Sequence, residues 1–194
     1  MELHEMMARA GASTVEVARN VKPDQLTAPT PCPEWDVRAL VNHLMFWSAF
    51  RSELAARKQQ APADDPVTEE TDFTAQRDWP GTLARQLDRA VAAWAEPGAT
   101  EGNTGLAGGS MPARMIGMMM VGELVVHGWD LARATGQTID TDPATLATAH
   151  EMASAMGEQG RQMGAFGAEV ELPESAPMLD RVLGLSGRNP QWTP

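Results

Sequence analysis

Residues 118–134 read MMMVGELVVHGWDLARA. Met, Leu, Ala, Glu and Arg favour helix. The segment therefore predicts a helix that starts near Pro112, runs to about Thr135 and stops at Gly136, a residue suited to the turn that closes helices. Glu123 and His127 are four apart, which puts both side chains on one face with about 6 Å between Cβ atoms. Their neighbours are Met119, Met120, Val121, Leu124, Val125 and Val126. A carboxylate and an imidazole among such residues are expensive to bury without a partner. A divalent metal ion is one partner that suits both. Exposed Glu–His pairs at this spacing form only weak ion pairs, so spacing alone leaves both roles open.

On the C-terminal side, Asp142 and Pro143 pair a cap with a first-turn proline and open a further helix to Met163 or Phe166. The tail from Gly167 predicts a short extended piece over residues 169–172 and a short helix from about Ala176 to Leu185. On the N-terminal side, Gly102 to Gly109 (GNTGLAGG) is expected to be flexible loop. It lacks the Gly-Lys-Ser/Thr ending of a phosphate-cradling loop. A third helix begins near Pro80 and runs to about Glu96 through Leu83, Leu87, Val91 and Trp94. A polar loop, about Gln59 to Asp78, separates it from a second helix, Val37 to about Lys58, which Asp36 is placed to cap. The second helix carries an apolar stripe of Val37, Leu40, Val41, Leu44, Trp47 and Leu54. Pro29, Pro31 and Pro33 force extended loop before it. A first helix runs from about Glu2 to Asn20. Four long helices predict an all-α four-helix bundle, with an additional helix and a short C-terminal tail packed outside or alongside. The chain reads as one domain over 1–194, with a bundle core over about 1–166 and a tail over 167–194.

The 194 residues carry 15 Lys and Arg against 26 Asp and Glu, a formal charge of −11. That balance argues against nucleic acid and anionic lipid as partners, since both need a positive patch. The 43% hydrophobic content suffices for a core. The single Cys32 excludes an internal disulfide and fits a reducing compartment. No apolar stretch is expected to approach the ~20 residues that span a bilayer. The charged residues Glu2, His4, Glu5 and Arg9 do not make a signal peptide. A soluble cytoplasmic protein is expected.

His43 lies two turns inside the second helix, beside Leu40 and Trp47. If the second and fourth helices are neighbours, it completes a triad of His43, Glu123 and His127. Two imidazoles and one carboxylate suit zinc, nickel, cobalt or ferrous iron, and three protein ligands leave positions open for water or substrate. Asp130 has two candidate roles, orienting an imidazole or pairing with Arg133 or Arg38. Cys32 sits between two prolines, as packing at a tight turn or as a thiol near the metal. Trp47 and Trp129 are candidate pocket walls, and Met119 belongs to a run suited either to a broad apolar pocket or to core. Asp64, Asp65, Glu69, Glu70 and Asp72 read as a solvated charge run, because they lack the alternation and central glycine of a calcium loop.

Two stretches resemble a known family. Thr30 through Leu40 (TPCPEWDVRAL), with Asn42, His43 and Leu44, is similar to the second-helix signature of the DinB/YfiT-like superfamily. More narrowly, it resembles the N-terminal domain of mycothiol-dependent maleylpyruvate isomerase and its actinobacterial relatives. Glu123 through Ala132 (ELVVHGWDLA) is similar to the fourth-helix signature of the same group. The ending, from Ala176-Pro177 through Gly187-Arg188-Asn189-Pro190 and Trp192, resembles a short-chain subgroup. This resemblance implies a DinB-like bundle with one divalent metal, usually zinc, held by His43, Glu123 and His127. It points to mycothiol as a thiol partner. It also implies a further C-terminal domain in the isomerase itself, and only about 30 residues follow the fifth helix here. Maleylpyruvate isomerisation is therefore not the expected reaction.

These observations support a metal-dependent enzyme acting on a small molecule by thiol-dependent transfer or isomerisation. The alternatives are a metal-dependent hydrolase, a non-catalytic metal- or ligand-binding helical module, and a structural protein with Glu123 and His127 at the surface. The Met and Trp content permits an apolar homodimer interface, but no heptad seam specifies one.

Overall fold

The structure is a computed structural model and describes residues 1–106 and 108–194. Helix α1 spans Leu3–Arg19. The second rod has three parts in unbroken succession: α2 (Val37–His43), a π-helical stretch (Leu44–Arg51) and α3 (Ser52–Ala56). Asp36 caps its start, with Oδ1 accepting from the Ala39 N–H at 2.8 Å. Helix α4 is Trp79–Trp94, capped by Asp78, which accepts from the Gly81 N–H at 3.2 Å. Helices α5 (Ala113–Ala134), α6 (Pro143–Gln162) and α7 (Met178–Leu185) complete the chain. Helices α1, α4, α5 and the second rod surround the core; α6 lies on α5 and α1, and α7 lies on α6. This is the expected bundle with a helix and tail outside it.

The structure corrects several local expectations. The glycine-rich stretch after α4 is an antiparallel hairpin, β1 (Asn103–Leu106) with β2 (Gly109–Pro112), in the register Thr104↔Met111; Ala107 lies outside the described residues. Gly108 adopts φ +79°, the backbone region that glycine enters at no steric cost. Thr104 Oγ1 donates to the Ala55 carbonyl at 2.7 Å and anchors the hairpin to α3. The π-helical stretch is also new. Its wider i→i+5 bonding has no signature in residue spacing, because the apolar stripe looks nearly the same for either turn. Residues 169–172 belong to neither helix nor turn, which agrees with the short extended piece expected there; the Val170 N–H donates to the Gly184 carbonyl at 3.0 Å.

One helix is long and apolar enough to cross a membrane by length and composition, contrary to expectation. It is α5, with mean hydropathy 1.2 over its best window, of which 83% is buried in this fold. An environment of protein on every side explains so apolar a helix. Ile116, Val121, Leu124 and Leu131 are wholly buried. Gly128 lets α1 come close: a Cβ there would fall 2.6 Å from Thr14 Oγ1. Thr14 uses that proximity to donate to the Leu124 carbonyl at 3.2 Å.

Of the acidic run, Asp64, Glu69, Glu70 and Asp72 are exposed, as expected, and Asp65 is the exception. Asp65 pairs with Arg51 at 2.7 Å and is about one-fifth exposed. Asp72 accepts from Arg38, Asn42 and Thr74. These contacts fasten the loop to the second rod.

Candidate metal centre

Helix α5 presents Glu123 and His127 one turn apart, and the second rod brings His43 to meet them. Nε2 of His43 lies 2.8 Å from Oε2 of Glu123, and Nε2 of His127 lies 3.4 Å from the same oxygen. One ligand atom from each of these residues lies within 4.8 Å of the others. His127 is 8% exposed and Glu123 26% at the side chain, so neither is the surface residue that a purely structural reading requires.

The second nitrogen of His127 is also engaged. Its Nδ1 lies 2.9 Å from Oδ2 of Asp130, which is fully buried, and Arg188 Nη2 donates to that oxygen at 3.2 Å. With Nδ1–H donated to a carboxylate, loss of the other ring proton would leave the Nε2 lone pair facing Glu123. This is the usual support for a metal-ligating imidazole. The donor set therefore fits a first-row divalent ion.

Without a cation the cluster balances its charge by protonation. Burial opposes charge on His127, but the Glu123 carboxylate and then Asp130 outweigh it and push the imidazole up to about 9. Burial likewise opposes ionisation of Glu123, yet His127 and His43 hold its carboxyl well below the usual range. A cation at this point would replace the proton on His127.

The other singled-out residues divide. The partner of Asp130 is Arg188; Arg38 pairs instead with Asp72, and Arg133 donates to the Trp192 carbonyl. Trp47 is half-buried and lines a cleft of about 320 Å³ with His43, Asn42, Phe46 and Trp35. Trp129 lies under the Arg133 guanidinium, 5.8 Å from Cζ to the ring centre. The indole beside the imidazoles is Trp35, with ring centres 4.4 Å from His43 and 5.5 Å from His127. Met119 is partly buried against the core, one turn before Glu123. Cys32 forms a turn, its N–H donating to Thr30 Oγ1 at 3.1 Å. Burial raises its thiol, with Asp130, Glu34 and Glu123 adding to the rise and Arg188 opposing it, so it lacks the lowered pKa of a reactive thiol.

Residue reasoning passed over Trp35 and Arg188 as site residues. Trp35 stands directly before the cap of the second rod, and that adjacency was a legible signal. Arg188 reaches the site from the far end of the chain, and no local pattern announces it.

Comparison with known proteins places the chain among relatives. The family described as the mycothiol maleylpyruvate isomerase N-terminal domain matches residues 7–132. Two uncharacterized proteins, from two strains of Mycobacterium tuberculosis, are each 29% identical over 185 residues, covering 93% of this chain and 94% of theirs. The crystal structure of a mycothiol-dependent maleylpyruvate isomerase superposes with a TM-score of 0.66 at 17% identity, covering 98% of this chain and 91% of that one. A histidine-to-alanine mutant of such an isomerase gives the same TM-score at 16% identity, with coverages of 97% and 90%.

Proposed function

Because this chain belongs to the mycothiol maleylpyruvate isomerase N-terminal domain family, we propose that it is a metal-dependent enzyme acting on a small electrophile with a low-molecular-weight thiol of the mycothiol type, by transfer or isomerisation. The observation that carries this reading is the meeting of two imidazole nitrogens, from separate rods, on one carboxylate oxygen. His43, Glu123 and His127 would hold the ion. Zinc is the ion proposed, and nickel and ferrous iron suit the same donors. A bound divalent ion supplies Lewis acidity, which lowers the pKa of a thiol or water that it coordinates.

The protein's own groups set the conditions. Asp130 holds the proton on Nδ1 of His127 and leaves Nε2 as the donor. Arg188 donates to the buried Asp130 carboxylate at 3.2 Å and supplies its counter-charge. Trp35 covers both imidazoles on one side. The half-buried cleft beside His43 admits a small molecule from the other. The thiol sulfur would add to an electrophilic C=C carbon, the π pair moving to the adjacent carbon, which takes up the proton the thiol released; in transfer this adduct is the product, and in isomerisation rotation about the resulting single bond is followed by loss of that proton and expulsion of the thiol, which restores the double bond.

Metal analysis of protein purified without a histidine tag, paired with a thiol-plus-electrophile assay of native protein and His127→Ala, tests the proposal. Stoichiometric metal and turnover lost in His127→Ala are expected. Equal turnover by the two proteins overturns the metal role. Absence of metal under every loading condition overturns the metal centre and favours a ligand-binding module.

A further inference from the structure

The proposed addition moves a proton as well as a sulfur. The thiol gives up its S–H proton, the adjacent carbon takes one, and isomerisation reverses both transfers. A side chain that carries this proton must stand in the cleft with its own lone pairs free. His43, Glu123 and His127 are the candidate ligands of the ion, and Asp130 is engaged by His127 and Arg188. Of the residues that line the cleft of about 320 Å³ at His43, the titratable ones are His43 itself and Glu69. The amide of Asn42 in the same wall is spent, accepting from the Phe73 N–H at 3.0 Å and donating to Asp72 at 3.4 Å.

The chain brings Glu69 to this wall by pinning the loop on both sides of it. Before Glu69, Arg51 donates to Asp65 and to the Val67 carbonyl, at 2.7 Å each. After it, Asp72 accepts from Arg38 at 3.0 Å, and the Phe73 ring stacks on Phe50 with centres 5.4 Å apart. Between the anchors Thr68 and Thr71 close a turn. The Thr71 N–H donates to the Thr68 carbonyl at 3.1 Å, and the Thr68 N–H donates to Thr71 Oγ1 at 3.0 Å. The two central residues of that turn are Glu69 and Glu70. Glu69 lines the cleft at His43; Glu70 borders only the neighbouring space. The carboxylates of Asp65 and Asp72 are spent on arginines. Glu69 is exposed, and its carboxylate has no hydrogen-bond or ion-pair partner among the described residues. A short turn anchored at both ends holds its central side chains near one place, which is the positioning that proton transfer needs.

We infer that Glu69 carries the proton of the reaction, first as general base and then as general acid. This rests on the proposed thiol chemistry and adds the catalytic group that such chemistry requires. The Glu69 carboxylate accepts the S–H proton as the sulfur bonds to one alkene carbon. The π pair moves to the adjacent carbon, and the Glu69 carboxylic acid returns the proton there. In isomerisation, after rotation about the new single bond, the carboxylate removes that proton again. The C–S bond breaks as the double bond re-forms, and the departing sulfur takes the proton back. No oxidant, reductant or further co-reactant is consumed. Trp35, Phe46 and Trp47 in the same wall exclude water once the substrate is seated, so the proton stays between the carboxylate and the substrate.

The test is steady-state kinetics of the zinc-loaded full chain with mycothiol and, in turn, dimethyl maleate and maleylpyruvate. Both electrophiles carry a conjugated C=C bond and report addition and cis–trans isomerisation separately. Glu69→Gln is expected to lower kcat about 100-fold. KM for thiol and electrophile is expected to stay within about twofold, the sign of an interaction made only in the transition state. Zinc content and thermal melting are expected to be unchanged, since the side chain is exposed. Glu70→Gln, one residue along the same turn, is expected to keep native kinetics. Added formate is expected to raise the turnover of Glu69→Ala about tenfold by replacing the missing carboxylate. It is expected to leave native protein and His127→Ala as they are; a mere change in the shape of the turn does not respond to a small carboxylate. The inference is overturned if Glu69→Gln turns over like native protein, if Glu70→Gln loses as much, or if formate does not restore Glu69→Ala. Native protein that turns over neither electrophile overturns the thiol reading and the inference together. Native protein that is active and indifferent to the change at Glu69 overturns the inference alone.

Discussion

The two rods that meet at the candidate metal centre achieve their placement in opposite ways. Helix α5 is mostly buried, and its candidate ligand His127 is held through Asp130 and Arg188. On the second rod His43 is about one-fifth exposed; its Nε2 meets Glu123 and its ring packs against Trp35 and His127. One side of the site is set by desolvated charge and close packing. The other is set by a helix face and by a loop fastened with partly exposed ion pairs. Rigidity belongs to the α5 side and access to the other.

The contrast predicts unequal costs. Arg188→Ala leaves Asp130 buried without its counter-charge and is expected to cost about 3–5 kcal/mol of stability. Asp65→Ala, which frees Arg51 on the loop side, is expected to cost about 1 kcal/mol. Urea unfolding of both variants measures the difference, and equal losses would break the comparison. Asp130→Asn keeps the shape but weakens the support of His127, so zinc affinity is expected to fall about 10–100-fold. Competition with a chelator measures this, and an unchanged affinity would remove Asp130 from the site.

Glycine positions on α5 sharpen the same point. Gly128→Ala drives a Cβ into Thr14 and Ile139, and overpacking of this kind costs about 1–3 kcal/mol. Gly122→Ala meets only the flexible end of Met152, and the gain in helix propensity of about 1 kcal/mol offsets the adjustment. Thermal melting should separate the two variants.

The smallest effect expected is acid sensitivity of the loop side. The Arg51 hydrogen bond, then the Val67 N–H, holds Asp65 below 3.8; the Thr74 hydroxyl, then Asn42 and Arg38, does the same for Asp72. Their folded pKa values lie below the unfolded ones. The stabilisation is therefore fully present above about pH 3.8 and is lost as pH falls through the lowered values. Amide exchange is expected to show the loop over residues 59–78 loosening below that pH before α5 does.

Much of the fold was legible because helices are local objects. The caps Asp36, Asp78 and Asp142 lie within three residues of the N–H groups they satisfy. The Glu123–His127 pair shares a face by helical geometry alone. The hairpin escaped notice because its glycines and small residues carry no alternating pattern, and its stability comes from Thr104 reaching α3. The pairing of Asp65 and Asp72 was not legible because their cationic partners Arg51 and Arg38 lie on another element.

The amino-acid order by itself determined the helices, their caps, the acidic surface and the face that carries Glu123 and His127. These depend on contacts a few residues apart, where covalent geometry dictates what meets. Only the tertiary structure decided that His43 would meet that pair across 80 residues of chain, that Trp35 would cover the imidazoles, and that Arg188 would neutralise Asp130 from the tail. Those contacts follow from how the rods bury their apolar faces together, and the free energy of that packing is a property of the assembled core.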